Sequence, residues 1–422
     1  MMKNKACLKK GLIAAVACLL WMPAAFAAEL SVDDAVQMAL ERNLDIKISA
    51  RGEEKAQALL EAAEGARGLS VDASAALSIA DGASAEFSKS NSNSISLSLP
   101  VYSGGEKEIT IQNKEKELLA SRLNTERTKE NIRLDVIKAY YDVLEREKET
   151  AVNQESVDNY QAHLINVQQL YAAGSKAKVE VLRSEVELSA AQQTLIKAQN
   201  AYELAVSTLK NMIKLDRDEK LILTEDFQYQ PFDRALGDCL SYAQSNRKDL
   251  QQDQYALEEA VNQVEIAKAG WRPSVSVVGG LDWKNQPLPD GDHYSYSAGV
   301  KASWNLFDSS VTKANVKAAE VSVDTAQLTL RKDQDEIALS VRQAYLNMRE
   351  AEKRFTSTQD AVRKAREDYY IANEKYRAGE GLMLDIIDAQ LALSTAELNY
   401  ISAQYDYVRY KATLENVMGF NS

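Results

Sequence analysis

The sequence predicts a mixed α and β membrane protein of two tandem repeats, each a pair of membrane-spanning strands feeding a long coiled-coil helical hairpin. Three observations carry this expectation. The stretch from Tyr376 to Met418 repeats one from Tyr171 at a constant offset of 205, strand-like segments alternate at period two, and two long runs lack both glycine and proline. Tyr171 answers Tyr376, Gly174 answers Gly379, Val181 and Leu182 answer Ile386 and Ile387, and Tyr202 answers Tyr407. Upstream, Tyr102 answers Phe307, Val136 answers Val341 and Tyr140 answers Tyr345; before the strands the offset becomes 204, as in Asp45 and Asp249. A period held over this much chain marks a duplicated unit. The expected organisation is a leader over 1–27, a first repeat over 28–213, a linking segment over 214–232 and a second repeat over 233–422.

Residues 1–27 place four lysines before a short apolar run and end in Ala25-Phe26-Ala27, the small-x-small pattern of a secretory signal. The run is shorter than the roughly 20 residues that a spanning helix needs, and no later stretch is apolar enough, so any membrane crossing must use strands. Cleavage removes four lysines and no acids, which moves the net charge from −12 to −16 and argues against a nucleic-acid partner. Cys7 and Cys18 leave with the leader, so Cys239 can form no intrachain disulfide.

From Ser31, a capping residue followed by Asp33 and Asp34, the pattern reads helical to about Arg67 and ends around Gly65 and Gly68. Val71, Ala73, Ala75, Leu77 and Ile79 then alternate with small or polar residues. After a Ser/Asn/Gly-rich turn, Ile95, Leu97, Leu99 and Val101 alternate with serines. In the second half Val275, Val277, Gly279, Leu281 and Trp283 form one such set, and Tyr294, Tyr296, Ala298, Val300 and Ala302 another. Four strands near 70–103 and 273–307, with Phe87, Tyr102, Trp271, Trp283, Tyr294, Tyr296, Trp304 and Phe307 in or beside them, suit a bilayer and its aromatic girdles. Four strands cannot close a barrel, and an open edge in lipid leaves backbone groups unpaired, so several copies must share one. The count alone permits a dimer or a trimer.

Between Gly105 and Gly174 the chain has neither glycine nor proline, enough for roughly 100 Å of helix, and the same holds between Gly299 and Gly379. Val157, Tyr160, Leu164, Val167 and Tyr171 recur at steps of three and four, as do Phe355, Thr358, Val362, Ala365, Tyr369, Ala372 and Tyr376; these are coiled-coil seams. Glycine-containing turns at Gly174 and Gly379 send each helix back to about Met212 or Met418. The linking segment holds a brief Leu221/Leu223 alternation and stops at Pro231.

The tandem halves, the two strands per half, and Tyr376-Arg377-Ala378-Gly379 followed by Leu384-Asp385-Ile386-Ile387-Asp388-Ala389 together resemble the TolC-type outer-membrane efflux channels. The resemblance covers essentially the whole mature chain. It implies a homotrimer with a 12-stranded barrel embedded in outer-membrane lipid and a helical tube crossing the periplasm. It implies a passive exit duct of a tripartite efflux pump or type I secretion system, opened at its periplasmic tip by an adaptor protein and an inner-membrane pump. Asp385 and Asp388, three apart on one helix face, would form two rings of carboxylates at the aperture, where the first half offers Glu180 and Arg183. Tyr376 and Glu180 resemble tip-lock positions. Gly381 stands where the family frequently carries arginine and Gln404 replaces another basic residue, so the tip is expected to close through Tyr376 and hydrogen bonds rather than ion pairs. Ala173, Gly174, Ala378 and Gly379 are small enough for close approach by an adaptor, although tight turns also favour small residues.

No enzyme is expected. The histidines are His163, in a polar helical stretch, and His293, next to a strand turn, and neither lies near Cys239 in sequence, so no nucleophile, base and orienter assemble. No phosphate-cradling loop or metal-ligand spacing occurs, and no cofactor is implied. The rival readings are a periplasmic adaptor and a coiled-coil tether without a conducting lumen. An adaptor would carry one hairpin within a split lipoyl-like domain, whereas here two hairpins alternate with strand pairs.

Overall fold

The computed structural model describes residues 28–82, 85–285, 288 and 294–420; the leader and His293 lie outside these. The elements are β1 (Ala28–Leu30), α1 (Val32–Arg42), α2 (Leu44–Gly65), β2 (Ser70–Gly82), β3 (Ala85–Ser103), α3 (Glu106–Ala172) and α4 (Lys178–Ile213). They continue as β4 (Leu221–Leu223), α5 (Leu236–Asn246), α6 (Lys248–Lys268), β5 (Ser274–Lys284), β6 (Tyr294–Ser303), α7 (Val311–Arg377) and α8 (Met383–Met418). Both α3 and α7 have 67 residues, about 100 Å of helix, and both α4 and α8 have 36.

The repeat is written into the backbone. Gly104 and Gly105 adopt positive φ between sheet and helix, and 205 residues later Ser309 and Ser310 do the same. Gly174 pairs in this way with Gly379, and Lys214 with Gly419. The left-handed region costs a serine roughly 1–2 kcal/mol. Asp308 offsets this by accepting the N–H groups of Ser310 at 3.0 Å and Thr312 at 2.7 Å.

The helix expected from Ser31 to Arg67 is broken. Asn43, extended at φ −63° and ψ 137°, ends α1 and caps α2, its side chain accepting the Asp45 N–H at 2.7 Å. Arg247 breaks α5 from α6 in the same conformation at the 204 offset. A cap that serves two helices leaves the apolar period almost undisturbed, which hides the break.

The sheet runs β2-β3-β5-β6, antiparallel throughout. Its register aligns Val71, Leu97, Gly279 and Ala298 in one row and Ala73, Ile95, Leu281 and Tyr296 in the next, so one face is apolar across all four strands. The other face is polar: Ser74 and Ser94 share a hydrogen bond at 2.8 Å, and Ser78 and Ser90 one at 2.7 Å. Two expectations need correction. Much of the Ser/Asn-rich stretch read as a turn is ladder, since β3 has 19 residues and Ser88–Ser94 pair with β2; polar side chains on both faces concealed it. Val101 is not in line with Leu99, because a bulge lies between Pro100 and Tyr102 and sets Tyr102 opposite Val275. Proline has no N–H to give the ladder, so the irregularity falls there.

Helix packing gives two related cores midway along the bundle. One gathers Ala35, Ala39, Val136, Tyr140, Leu209 and Ile213; the other gathers Cys239, Ala243, Val341, Met348, Leu414 and Met418. The linking segment wraps them. Its strand β4 pairs in parallel with β1, a contact the three-residue length of each strand kept out of any periodicity. Tyr140 locks the pair, its hydroxyl donating to Leu30 O at 2.9 Å and accepting the Glu225 N–H at 3.2 Å. Among the described residues no helix is long and apolar enough to cross a membrane.

Candidate functional site at the hairpin tips

The ends of α3–α4 and α7–α8 furthest from the sheet lie side by side. In the first turn Gly174 stands at φ +72° and the Ser175 N–H returns to Leu170 O at 2.9 Å. In the second, Gly379 stands at φ +80° and both Glu380 and Gly381 donate to Lys375 O. A Cβ on either Gly174 or Gly379 would meet nothing within 4 Å, so backbone conformation alone demands glycine there. The space above is open, and Ala173 and Ala378 are exposed with them.

Tyr376, at the end of α7, is 1% exposed and inserts against the first hairpin. Tyr160, Leu164, Val167, Leu188, Met383, Ile386 and Ile387 surround it. Its hydroxyl donates to Glu180 Oε2 at 3.1 Å. Lys176 Nζ lies 4.5 Å from the ring centroid and 3.6 Å from the Glu180 carboxylate. Burial and the neighbouring carboxylate push the Tyr376 phenol well above its ordinary value. At the tip, then, the two hairpins are joined by a hydrogen bond and a cation–π contact, and among the described residues the ion pairs there, Lys176 with Glu180 and Arg377 with Glu374, each stay within one hairpin. Gly381 has a steric reason: a Cβ would approach Tyr376 N to 2.9 Å, so an arginine needs the turn to move.

Asp385 and Asp388 are exposed on the first turns of α8. Asp385 also accepts the Leu382 N–H at 3.1 Å, which closes the helix start. Of the seam residues, Tyr160, Leu164 and Val167 are buried, whereas Tyr171 is 45% exposed, having no second hairpin against it within this chain.

His163 escaped the sequence reading. Polar neighbours suggested a wet helix face, but the ring is buried, sits 5.2 Å from that of Tyr376, and leaves Nε2 without a partner. Its position between Tyr160 and Val167 in the seam was the available signal. Burial pushes its pKa below the ordinary value of 6.5; Lys176 reinforces this and Glu180 opposes it. The unfolded hairpin therefore takes up a proton near 6.5 that the folded one resists, and stability present above that value is lost as pH falls through it. Lowering pH from about 7.5 to about 5.5 is expected to loosen the tip. Hydrogen exchange over 160–180 and 369–388, corrected for intrinsic rate, reads this. Unchanged protection, or an equal loss in His163→Gln, contradicts it.

An open groove of about 400 Å³ runs beside the junction, lined by residues that include Asn159, Asn166, Gln169, Asn373 and Arg377. Among the described residues no group of histidine, cysteine or acidic side chains is arranged to hold a metal.

Comparison with known proteins gives one consistent answer. A family model described as "Outer membrane efflux protein" matches residues 35–213 and 239–420, one segment in each half. "Toxin and drug export protein A" of Aggregatibacter actinomycetemcomitans is 24% identical over 303 residues, 70% of this chain and 66% of that protein, so the match spans just under two thirds of its length. The fold is that of the Campylobacter jejuni CmeC outer membrane channel, with a TM-score of 0.81 at 18% identity over 92% of this chain and 85% of that one. The Vibrio cholerae outer membrane protein VceC gives a TM-score of 0.79 at 15% identity, over 92% of this chain and 96% of that one.

Proposed function

The chain belongs to the outer membrane efflux protein family, and from that premise we propose that it is a passive exit duct of the outer membrane. Three copies contribute four strands each to one 12-stranded barrel, and their hairpins form a tube that reaches through the periplasm. The observation that carries this is the sheet: among the described residues β2 and β6 are both unpaired at their outer edges, and apolar rows cross all four strands between them. Backbone groups on such edges cannot be left in lipid, and only pairing with further copies satisfies them. The apolar face then meets lipid and the serine-rich face lines water.

The tip is the closed end. Asp385 and Asp388 become rings of carboxylates at its mouth, and Tyr376 with Glu180 holds adjacent hairpins together. An adaptor protein engages the exposed turns at Ala173, Gly174, Ala378 and Gly379 and the groove beside them, and an inner-membrane pump supplies the energy. The system served is a tripartite efflux pump or a type I secretion apparatus, consistent with the export named for the A. actinomycetemcomitans relative.

The test is conductance. Purified protein added to a planar bilayer is expected to give ion-conducting steps whose closed state is relieved by mutation at the tip, with Tyr376→Phe enough to raise open probability. A protein that folds, inserts and never conducts is a tether, and the duct reading fails.

A further inference from the structure

The repeat offers more than an oligomeric state, because it specifies which residues meet between copies. Within one chain α3 packs against α8, whereas the equivalent contact of α7 with α4 does not appear among the principal contacts. A tube of alternating hairpins needs both: hairpin one against hairpin two within a chain, and hairpin two against hairpin one of the next. Shifting each intrachain contact by 205 residues therefore writes the contact between chains.

Exposure shows that a covering element is missing on one side. Tyr376 is 1% exposed and its counterpart Tyr171 45%; Ile387 is 8% exposed and its counterpart Leu182 51%. The residue types match closely, and the difference is that Tyr376 and Ile387 pack against the first hairpin, whereas the face carrying Tyr171 and Leu182 meets no hairpin of the same chain. Polar contacts shift sensibly too. Asn159 Nδ2 donates to Gln390 Oε1 at 3.2 Å within the chain; the shifted pair is Lys364 and Glu185, both exposed and opposite in charge. The tip contact of Tyr376 with Glu180 becomes Tyr171 with Asp385.

We propose that Tyr171 of one protomer donates its hydroxyl hydrogen bond to Asp385 of its neighbour, with Lys364 paired to Glu185 further up the same seam. This rests on the trimeric duct reading and adds the residue register of its subunit boundary. The two kinds of junction are then unequal. Around Tyr376 the protein places His163, Lys176 and Glu180; around Tyr171 the shifted positions are Asp368, Gly381 and Asp385, so the subunit boundary gathers two carboxylates and no cation. One carboxylate of the aperture ring is thereby engaged by the neighbouring copy when the tip is closed.

The experiment uses the full-length protein in detergent, with Cys239→Ala as background and a bifunctional maleimide long enough to span a tyrosine–carboxylate contact. Tyr171→Cys with Asp385→Cys is expected to give covalent dimers and trimers on a denaturing gel, and Glu180→Cys with Tyr376→Cys only internally linked monomer. Glu185→Lys and Lys364→Glu should each weaken the trimer and together restore it. If native mass shows a trimer but the first pair links no copies and the charge reversals do not compensate, the register is wrong and the duct reading stands. If native mass shows a monomer, both fall.

Discussion

Arg409→Met is expected to be the most damaging single change in the helical tube. Glu145 on α3 is 3% exposed, and Arg409 of α8 donates to its Oε2 at 2.5 Å while reaching Asp406 at 2.6 Å. Asp406 keeps a second cation, Arg354, at 2.9 Å, so Glu145 is the partner left stranded. An unpaired buried carboxylate costs about 3–5 kcal/mol. Burial already pushes the Glu145 carboxyl above its ordinary value despite the guanidinium. A raised carboxylate pKa means that Glu145 takes stability from the folded state as pH rises above the ordinary carboxylate range, whereas Glu145 and Asp406 together hold the Arg409 guanidinium above its ordinary value against burial, so the pairing favours the charged arginine. Two outcomes follow. Arg409→Met alone lowers the thermal midpoint and exposes the mid-tube to protease, whereas Arg409→Met with Glu145→Leu recovers most of the loss. If the double variant is no better than the single one, the cost lies in packing and not in the stranded charge.

Asp385→Asn with Asp388→Asn is expected to remove the cation preference of the channel and its block by multivalent cations. At about 4 Å in water-like surroundings each carboxylate attracts a monovalent cation by about 1 kcal/mol. Losing several around one ion therefore weakens block by about one to two orders of magnitude. Asparagine is the right replacement, because its side-chain oxygen can still accept the Leu382 N–H that Asp385 accepts at the start of α8. Asp388→Asn alone isolates selectivity from that cap. Reversal potentials under a salt gradient, together with block titrations, decide the matter; unchanged values in the double variant place the selective ring elsewhere.

Much of this architecture is visible in the sequence because it is periodic. The 205-residue offset, the alternation in the strands and the absence of glycine and proline from α3 and α7 all survive as pattern. Features that depend on a single residue against a distant one do not. The break at Asn43 leaves the helical period intact on both sides, and three-residue β1 and β4 are too short to show any period. The bulge after Pro100 shifts register by one residue, which only the pairing with Val275 reveals. At the tip, Tyr376 and Glu180 were readable through the family motif and do meet. His163 was not, because its burial comes from the second hairpin, some 200 residues further along the chain. Gly381 was visible as a departure from the motif, but its reason, the approach to Tyr376 N, is purely three-dimensional.

The account turns on the edges of β2 and β6 being completed by other copies of the same chain. Single-particle electron microscopy of the purified protein in detergent tests that most directly. Three copies around an open axis, with β6 of each paired to β2 of the next in one ring of twelve strands, is the result expected. A folded monomer, or an assembly whose interior is filled along its length, contradicts it.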